Sequence, residues 1–326
     1  MKRQRFGPTD EQVSSIIQGC MQIASDWDGD PNDEAAKRTF KTLDTALECG
    51  IDFFDHADVY GRNKCEQLFG HWLSANKGLR EKIFIQTKCG IRIDIRGYDF
   101  SAEYIQRSVE GSLKRLQIEQ IDCLMLHRPD ALAEPEQVAQ AFDQLHAAGK
   151  VRHFGVSNQN AGLLELMRAN IKFPIVANQV EMSLMHAGLL DAATDWNAGP
   201  DWGYAPGAPT IPDVTFPYCH QHQITIQAYS PVARGLLTGK ACPADDARAD
   251  RVATVMPVIQ ELAKEMDVPV EAIVIGWLLS HPAQIQPILG TVNPDRIRAS
   301  CRAADISLSR GQWYRLYVAA RGRRVP

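Results

Sequence analysis

The sequence lacks most of the features that would set it apart from an ordinary globular protein. Its eight cysteines, scattered from Cys20 to Cys301, include no C-x-x-C pair. That usage fits reduced thiols better than a disulfide or zinc framework. There is no N-x-[ST] glycosylation acceptor. No apolar run approaches the ~20 residues of a membrane-spanning helix. The longest, Ala272 to Leu279, is short and broken by Gly276. The basic start Met1-Lys2-Arg3-Gln4-Arg5 is followed by Pro8-Thr9-Asp10-Glu11 where a signal peptide needs an apolar core. These absences give a cytoplasmic protein as the expectation. Net charge is only −4, which argues against a nucleic-acid partner, since such proteins carry a basic domain or stripe. No stretch rich in Gly, Ser or Pro divides the 326 residues, so a single domain over 1–326 is expected. Apolar residues at 45% and charged residues at 23% exclude disorder, collagen-like repeats and a long coiled coil.

What is present is a rhythm. Short β-branched runs occur at Ser14 to Ile17, Ile51 to Phe54, Ile83 to Thr87 and Ile121 to Leu126. They recur at His153 to Val156, Ile175 to Ala177, Ile224 to Ala228 and Ile285 to Ile288. Longer amphipathic segments separate them. Leu68, Phe69, Trp72 and Leu73 recur at helical spacing, as do Ile105, Val109, Leu113 and Leu116 behind a Ser101 N-cap. Val138, Phe142 and Leu145 mark a less regular face. Strand and helix alternating through eight strands predict a closed α/β architecture, the (β/α)8 TIM barrel. A doubly wound open sheet is the alternative. It would normally carry G-x-G-x-x-G after the first strand, but Gly19-Cys20-Met21-Gln22 stands there. Asp295 to Ala304 and Ser309 to Ala320 read as closing helices. The region of about 191–217 breaks the rhythm, and Asp195 to Pro217 reads as a long ordered loop. Its Trp196, Trp202 and Tyr204 are candidates for an apolar substrate wall, with Trp27 near the same mouth.

Four polar residues stand out at strand ends. Asp55 closes the second run, Lys88 the third and His127 the fourth, while Tyr60 follows Asp55 by five residues. A barrel gathers all C-terminal strand ends at one mouth. There, a phenol, an ammonium, a carboxylate and an imidazole suit proton transfer to a carbonyl oxygen. A free phenol, with a pKa near ~10, is a weak acid at neutral pH, and a neighbouring ammonium is expected to bring it down. Singly, each residue has a plainer reading: Asp55 as a helix cap, Tyr60 as packing, Lys88 as a surface charge, His127 as a structural histidine. Their shared end of consecutive strands favours the site.

Four stretches then resemble the aldo-keto reductase superfamily, in order and over nearly the whole chain. They are Gly50-Ile51-Asp52-Phe53-Phe54-Asp55-His56-Ala57-Asp58-Val59-Tyr60-Gly61, Leu124-Met125-Leu126-His127-Arg128-Pro129-Asp130, the segment Gly149 to Asn158, and Ala228 to Gly235. The closest branch suggested is a bacterial group of stand-alone oxidoreductases. The resemblance implies reduction of an aldehyde or ketone by NADPH, with Tyr60 as proton donor, Lys88 and Asp55 tuning it, and His127 orienting the carbonyl. It implies that Ser157, Asn158 and Gln179 hold the nicotinamide carboxamide, with Tyr229 on the ring and Gly19, Met21 and Gln22 below. Ser230, Pro231 and Arg234 would belong to the loop that straddles the cofactor. Gly290, Thr291 and Arg296 stand where the family binds the 2′-phosphate and adenine. The chain departs from the family at this end. Gly290 replaces a usual basic residue, and Ala299 and Ser300 replace a usual acid and amide.

Two motifs are decoys. Gly235 to Ala241 resembles a phosphate loop, but its glycines are one residue too close. His220 and His222 lack a nearby third ligand, and no metal is expected. A cofactor-binding sensor or regulatory subunit on the same fold is the alternative to a reductase. A metal-dependent barrel hydrolase is a third reading, for which Asp55, His56 and Asp58 lack partners at later strands.

Overall fold

A computed structural model describes residues 1–24, 33–195 and 214–326. Eight parallel strands form a closed barrel. They are β1 Ile17–Gly19, β2 Phe53–Asp55, β3 Phe84–Cys89, β4 Ile121–Leu126, β5 Val151–Ser157, β6 Ile175–Glu181, β7 Thr225–Tyr229 and β8 Gln286–Leu289. Closure comes where Ile288 pairs with Ile17. The barrel, and not the open sheet, is thus the architecture. Strands buried on both faces need near-continuous apolar runs, and every residue of β4 is buried.

The first run was expected from Ser14. Instead Gln12–Ser14 pairs antiparallel with Arg3–Arg5 in a hairpin, and the barrel strand starts at Ile17. The Ser14 N–H donates to Asp52 Oδ1 at 2.8 Å, and the Asp52 N–H donates to Ser14 Oγ. This hairpin closes the barrel's lower end. The Phe6 ring meets Phe53 and Phe84 edge-on at 5.3 and 5.1 Å. Next to it, Gly7 has φ +60°, and a Cβ there would fall 2.4 Å from the Val176 carbonyl oxygen. Only glycine lets the turn come this close.

Helices α1 Asp33–Glu48, α2 Lys64–Ala75, α3 Ala102–Leu116, α4 Pro135–Ala147 and α5 Ala161–Asn170 follow the first five strands. Ser101 caps α3 by accepting from the Tyr104 N–H, as its sequence position indicated. The expected apolar faces of α2, α3 and α4 are buried. Within the 191–217 region, α6 Gly188–Asp195 and α7 Thr215–Gln221 take up both ends. Helices α8 Ala249–Glu265 and α9 Val270–Leu279 follow β7, and α10 Pro294–Cys301 follows β8. α11 Arg310–Arg321 begins with a capping box at Ser309 and packs on α8. Among the described residues no helix is long and apolar enough to cross a membrane.

Candidate active site

The barrel brings the four strand-end residues together. Lys88 Nζ donates to Asp55 Oδ1 and Oδ2 at 2.7 and 2.8 Å and to the His56 carbonyl at 2.6 Å. The ammonium is thus held against Asp55 and the His56 carbonyl, and it also interacts with the Tyr60 hydroxyl. The same nitrogen lies 5.0 Å from the Tyr60 ring centre. The Tyr60 and His127 rings meet edge-to-face at 5.8 Å. The loop carrying Tyr60 is docked by backbone bonds onto β3. His56 N–H donates to the Gln86 carbonyl at 2.8 Å, and Asp58 N–H to the Lys88 carbonyl at 2.9 Å.

The electrostatics depart from the sequence expectation in one respect. Lys88 pulls the Tyr60 phenol down as expected, but burial outweighs it and pushes the phenol up to about 12. Tyr60 is therefore protonated at neutral pH and holds its proton tightly. Burial alone would push Lys88 down, yet Asp55 and Tyr60 leave it raised, so it is charged. Burial, then Lys88 and Arg128, hold His127 well below the usual histidine range, and it is neutral. Its Nδ1 is buried and has no hydrogen-bond partner among the described residues.

A second group of predicted residues adjoins the first. Gln179 Nε2 donates to Asp55 Oδ1 at 3.0 Å, and Ser157 Oγ donates to the Gln179 carbonyl at 2.9 Å. Asn158 Nδ2 donates to Ser157 Oγ at 2.8 Å, and Tyr229 Oη to Asn158 Oδ1 at 3.0 Å. Asn158 sits at φ 59°, a left-handed conformation that asparagine tolerates better than most residues. After β7, left-handed residues cluster: Ser230, Ala233, Arg234 and Gly235 at φ 54°, 50°, 59° and 94°. Strained non-glycine backbone concentrates at ligand clamps. Met21 and Gln22 are exposed just past β1. Gly19 has a packing reason of its own, because a Cβ would lie 2.8 Å from the Leu289 carbonyl oxygen.

After β8, Asn293 Oδ1 accepts from the Asp295 and Arg296 N–H groups and caps α10. Among the described residues, nothing lies within 4 Å of a Cβ built at Gly290. Arg298 is paired with Glu48 at 3.0 Å, whereas Arg296 is exposed and no carboxylate pairs with it among the described residues. An amide-and-hydroxyl cluster, a strained loop and an unpaired guanidinium are a donor set that fits a dinucleotide phosphate cofactor. Trp27, Trp196, Trp202 and Tyr204 lie outside the described residues.

The family profile described as "Aldo/keto reductase family" matches residues 15–319. This chain belongs to the aldo/keto reductase family. It is an oxidoreductase of that family, whose members generally use a nicotinamide cofactor. It is 34% identical to a 6-dehydroglucose reductase of Agrobacterium fabrum, over 99% of this chain and 99% of that protein. It is 32% identical to an uncharacterized oxidoreductase, YcsN, of Bacillus subtilis over 97% of both. Among solved structures, a glycerol dehydrogenase from Gluconobacter oxydans shares the fold. The TM-score is 0.78 at 23% identity, covering 97% of this chain and 94% of that one.

Within this aldo/keto reductase barrel, the sequence reading passed over three interior glutamines, Gln86, Gln227 and Gln286. Each follows an isoleucine in a short apolar run of the sequence, as Ile85-Gln86, Ile226-Gln227 and Ile285-Gln286. It also passed over Glu66, fully buried on α2, which accepts from Thr87 Oγ1 at 2.6 Å and Arg115 Nε at 2.7 Å.

Proposed function

We propose that this enzyme reduces an aldehyde or ketone to an alcohol with NADPH, and that Tyr60 gives the proton to the carbonyl oxygen. The observation that carries this reading is the buried Lys88–Asp55 pair set 5.0 Å from the centre of the Tyr60 ring. Bound NADPH supplies the hydride. Ser157, Asn158 and Gln179 would hold its carboxamide and Tyr229 its ring, with Gly19, Met21 and Gln22 beneath. Ser230, Pro231 and Arg234 would take the phosphates. Arg296, with Gly290 and Thr291 beside it, would take the 2′-phosphate.

The chain's own residues then do three things. Neutral His127 orients the carbonyl oxygen toward Tyr60. Tyr60 keeps its proton until negative charge develops on that oxygen. Lys88, held charged by Asp55, then lies close enough to stabilise the phenolate left behind. Such placement converts a weak free acid into a positioned one, an effect typically worth ~100- to 10,000-fold.

The 6-dehydroglucose reductase relative makes that compound a rational member of a test panel, beside aromatic and short aliphatic aldehydes. The expected result is a carbonyl-dependent fall in NADPH absorbance. A protein that binds NADPH but consumes none with any carbonyl would instead be a sensor on the same fold.

A further inference from the structure

Beneath the Asp55–Lys88 pair the barrel axis is filled with amides. Gln86, Gln179, Gln227 and Gln286 come from β3, β6, β7 and β8, and all are buried. Gln86 Nε2 donates to Asp55 Oδ1 at 2.6 Å and to Gln227 Oε1 at 2.9 Å. Gln227 Nε2 returns a bond to Gln86 Oε1 at 3.1 Å and donates to Gln286 Oε1 at 3.3 Å. Gln286 Nε2 ends on the Ser14 carbonyl at 2.8 Å. The column runs from the backbone of the lower hairpin to the carboxylate at the mouth.

Barrel interiors are ordinarily filled by branched aliphatic residues. A buried amide is tolerable only with its hydrogen bonds made, and both Gln86 hydrogens are used. Volume alone does not call for an amide, because Met fills nearly the same space. What the amide adds is an N–H aimed at Asp55 Oδ1, the oxygen that also takes Lys88 at 2.7 Å. The carboxylate sets which way it faces, since a flipped Gln86 would turn its oxygen toward Asp55, and the reciprocal bonds with Gln227 hold the amide in place.

We propose that Gln86, locked by Gln227, is a positioning residue for carbonyl reduction: its amide pins Asp55 Oδ1 so that Lys88 stays beside the Tyr60 ring. This rests on the tetrad reading above. The other titratable groups near the pair among the described residues are Tyr60, His56 and His127, and the Cys20 and Cys123 thiols, which burial pushes well up.

The test compares Gln86→Met and Gln86→Glu with the parent, using NADPH and a carbonyl that the parent reduces. A hydrogen bond to a charged group is worth roughly ten- to a hundredfold. Gln86→Met should therefore lower kcat by about tenfold, leaving KM and NADPH affinity within about twofold. Gln86→Glu carries the sharper signature. Protonated, its carboxyl can donate to Asp55 as the amide did. Ionised, it opposes Asp55, and adjacent carboxylates raise each other's pKa. Its kcat should approach the parent's at acidic pH and fall, as pH rises, through an ionisation that the parent lacks. A purely structural role gives a loss that follows the melting temperature and does not vary with pH. If Gln86→Met does not fold, the Gln86→Glu profile decides alone. Folded variants with the parent's kcat and pH profile overturn the inference while leaving the tetrad intact. A parent that reduces no carbonyl overturns the tetrad reading, and this inference falls with it.

Discussion

Asp55 Oδ1 accepts hydrogen bonds from Lys88, Gln86 and Gln179, three side chains carried by two other strands. At this scale the chemistry is a contest between burial and neighbouring charge, and the winner differs by residue. Charge wins at Lys88 and burial at Tyr60, while at His127 the two act together. The residue types and their strand-end positions were readable in the sequence. The direction of the Tyr60 shift was not, because desolvation depends on what covers the ring. Arg296 offers a test of cofactor choice. If its guanidinium takes the 2′-phosphate, Arg296→Ala should weaken NADPH binding about ten- to a hundredfold, as loss of a charge-assisted bond would. NADH binding should barely change. Equal losses in fluorescence titrations would mean that the side chain serves the adenine instead. Asp58 offers a test of stability. Burial, then Glu66, raises its carboxyl to about 7, so the folded state holds a proton that the unfolded state has lost from about pH 4 upward. Stability is therefore lost as pH rises toward 7, at ~1.4 kcal/mol per unit. Asp58→Asn should gain on the parent by roughly 3 kcal/mol between pH 5 and pH 8 in urea melts. A pH-independent difference would show that Asp58 ionises freely in the fold.

At the scale of elements, local pattern was enough for α2 and α3. The apolar face of α3 and its Ser101 cap needed no tertiary information. The first strand was harder. Ser14 and Ile17 look continuous in sequence, but Ser14 is held in the hairpin by Asp52, 38 residues away. No local pattern carries such a contact. The interior glutamines escaped for a related reason, since a lone polar residue in a strand is meaningful only once its cross-barrel partners are known. The hairpin itself makes a prediction. Phe6 is fully buried against Phe53 and Phe84, and truncating such a ring usually costs ~3–5 kcal/mol. Phe6→Ala should lower the denaturation midpoint accordingly. Because the hairpin lies at the opposite end from Tyr60, the KM for NADPH should stay near the parent's. An unshifted melt would mean that the hairpin is not part of the cooperative unit.

At the scale of the whole molecule, closure makes the site. Asp55 and Gln179 are 124 positions apart and touch because β2 and β6 both deliver their C-terminal ends to one mouth. The count of alternating runs implies that convergence, which is why Asp55, Lys88 and His127 could be grouped from sequence. What covers the mouth was not readable in the same way, since specificity loops follow no period. The central claim, that Tyr60 delivers the proton, is reached most directly by steady-state reduction with purified Tyr60→Phe beside the parent, with NADPH affinity measured on both. The ring and its packing stay; only the hydroxyl goes. The account predicts turnover down by ~100- to 10,000-fold with NADPH affinity unchanged. A Phe variant that reduces the same carbonyl at the parent's rate would contradict it.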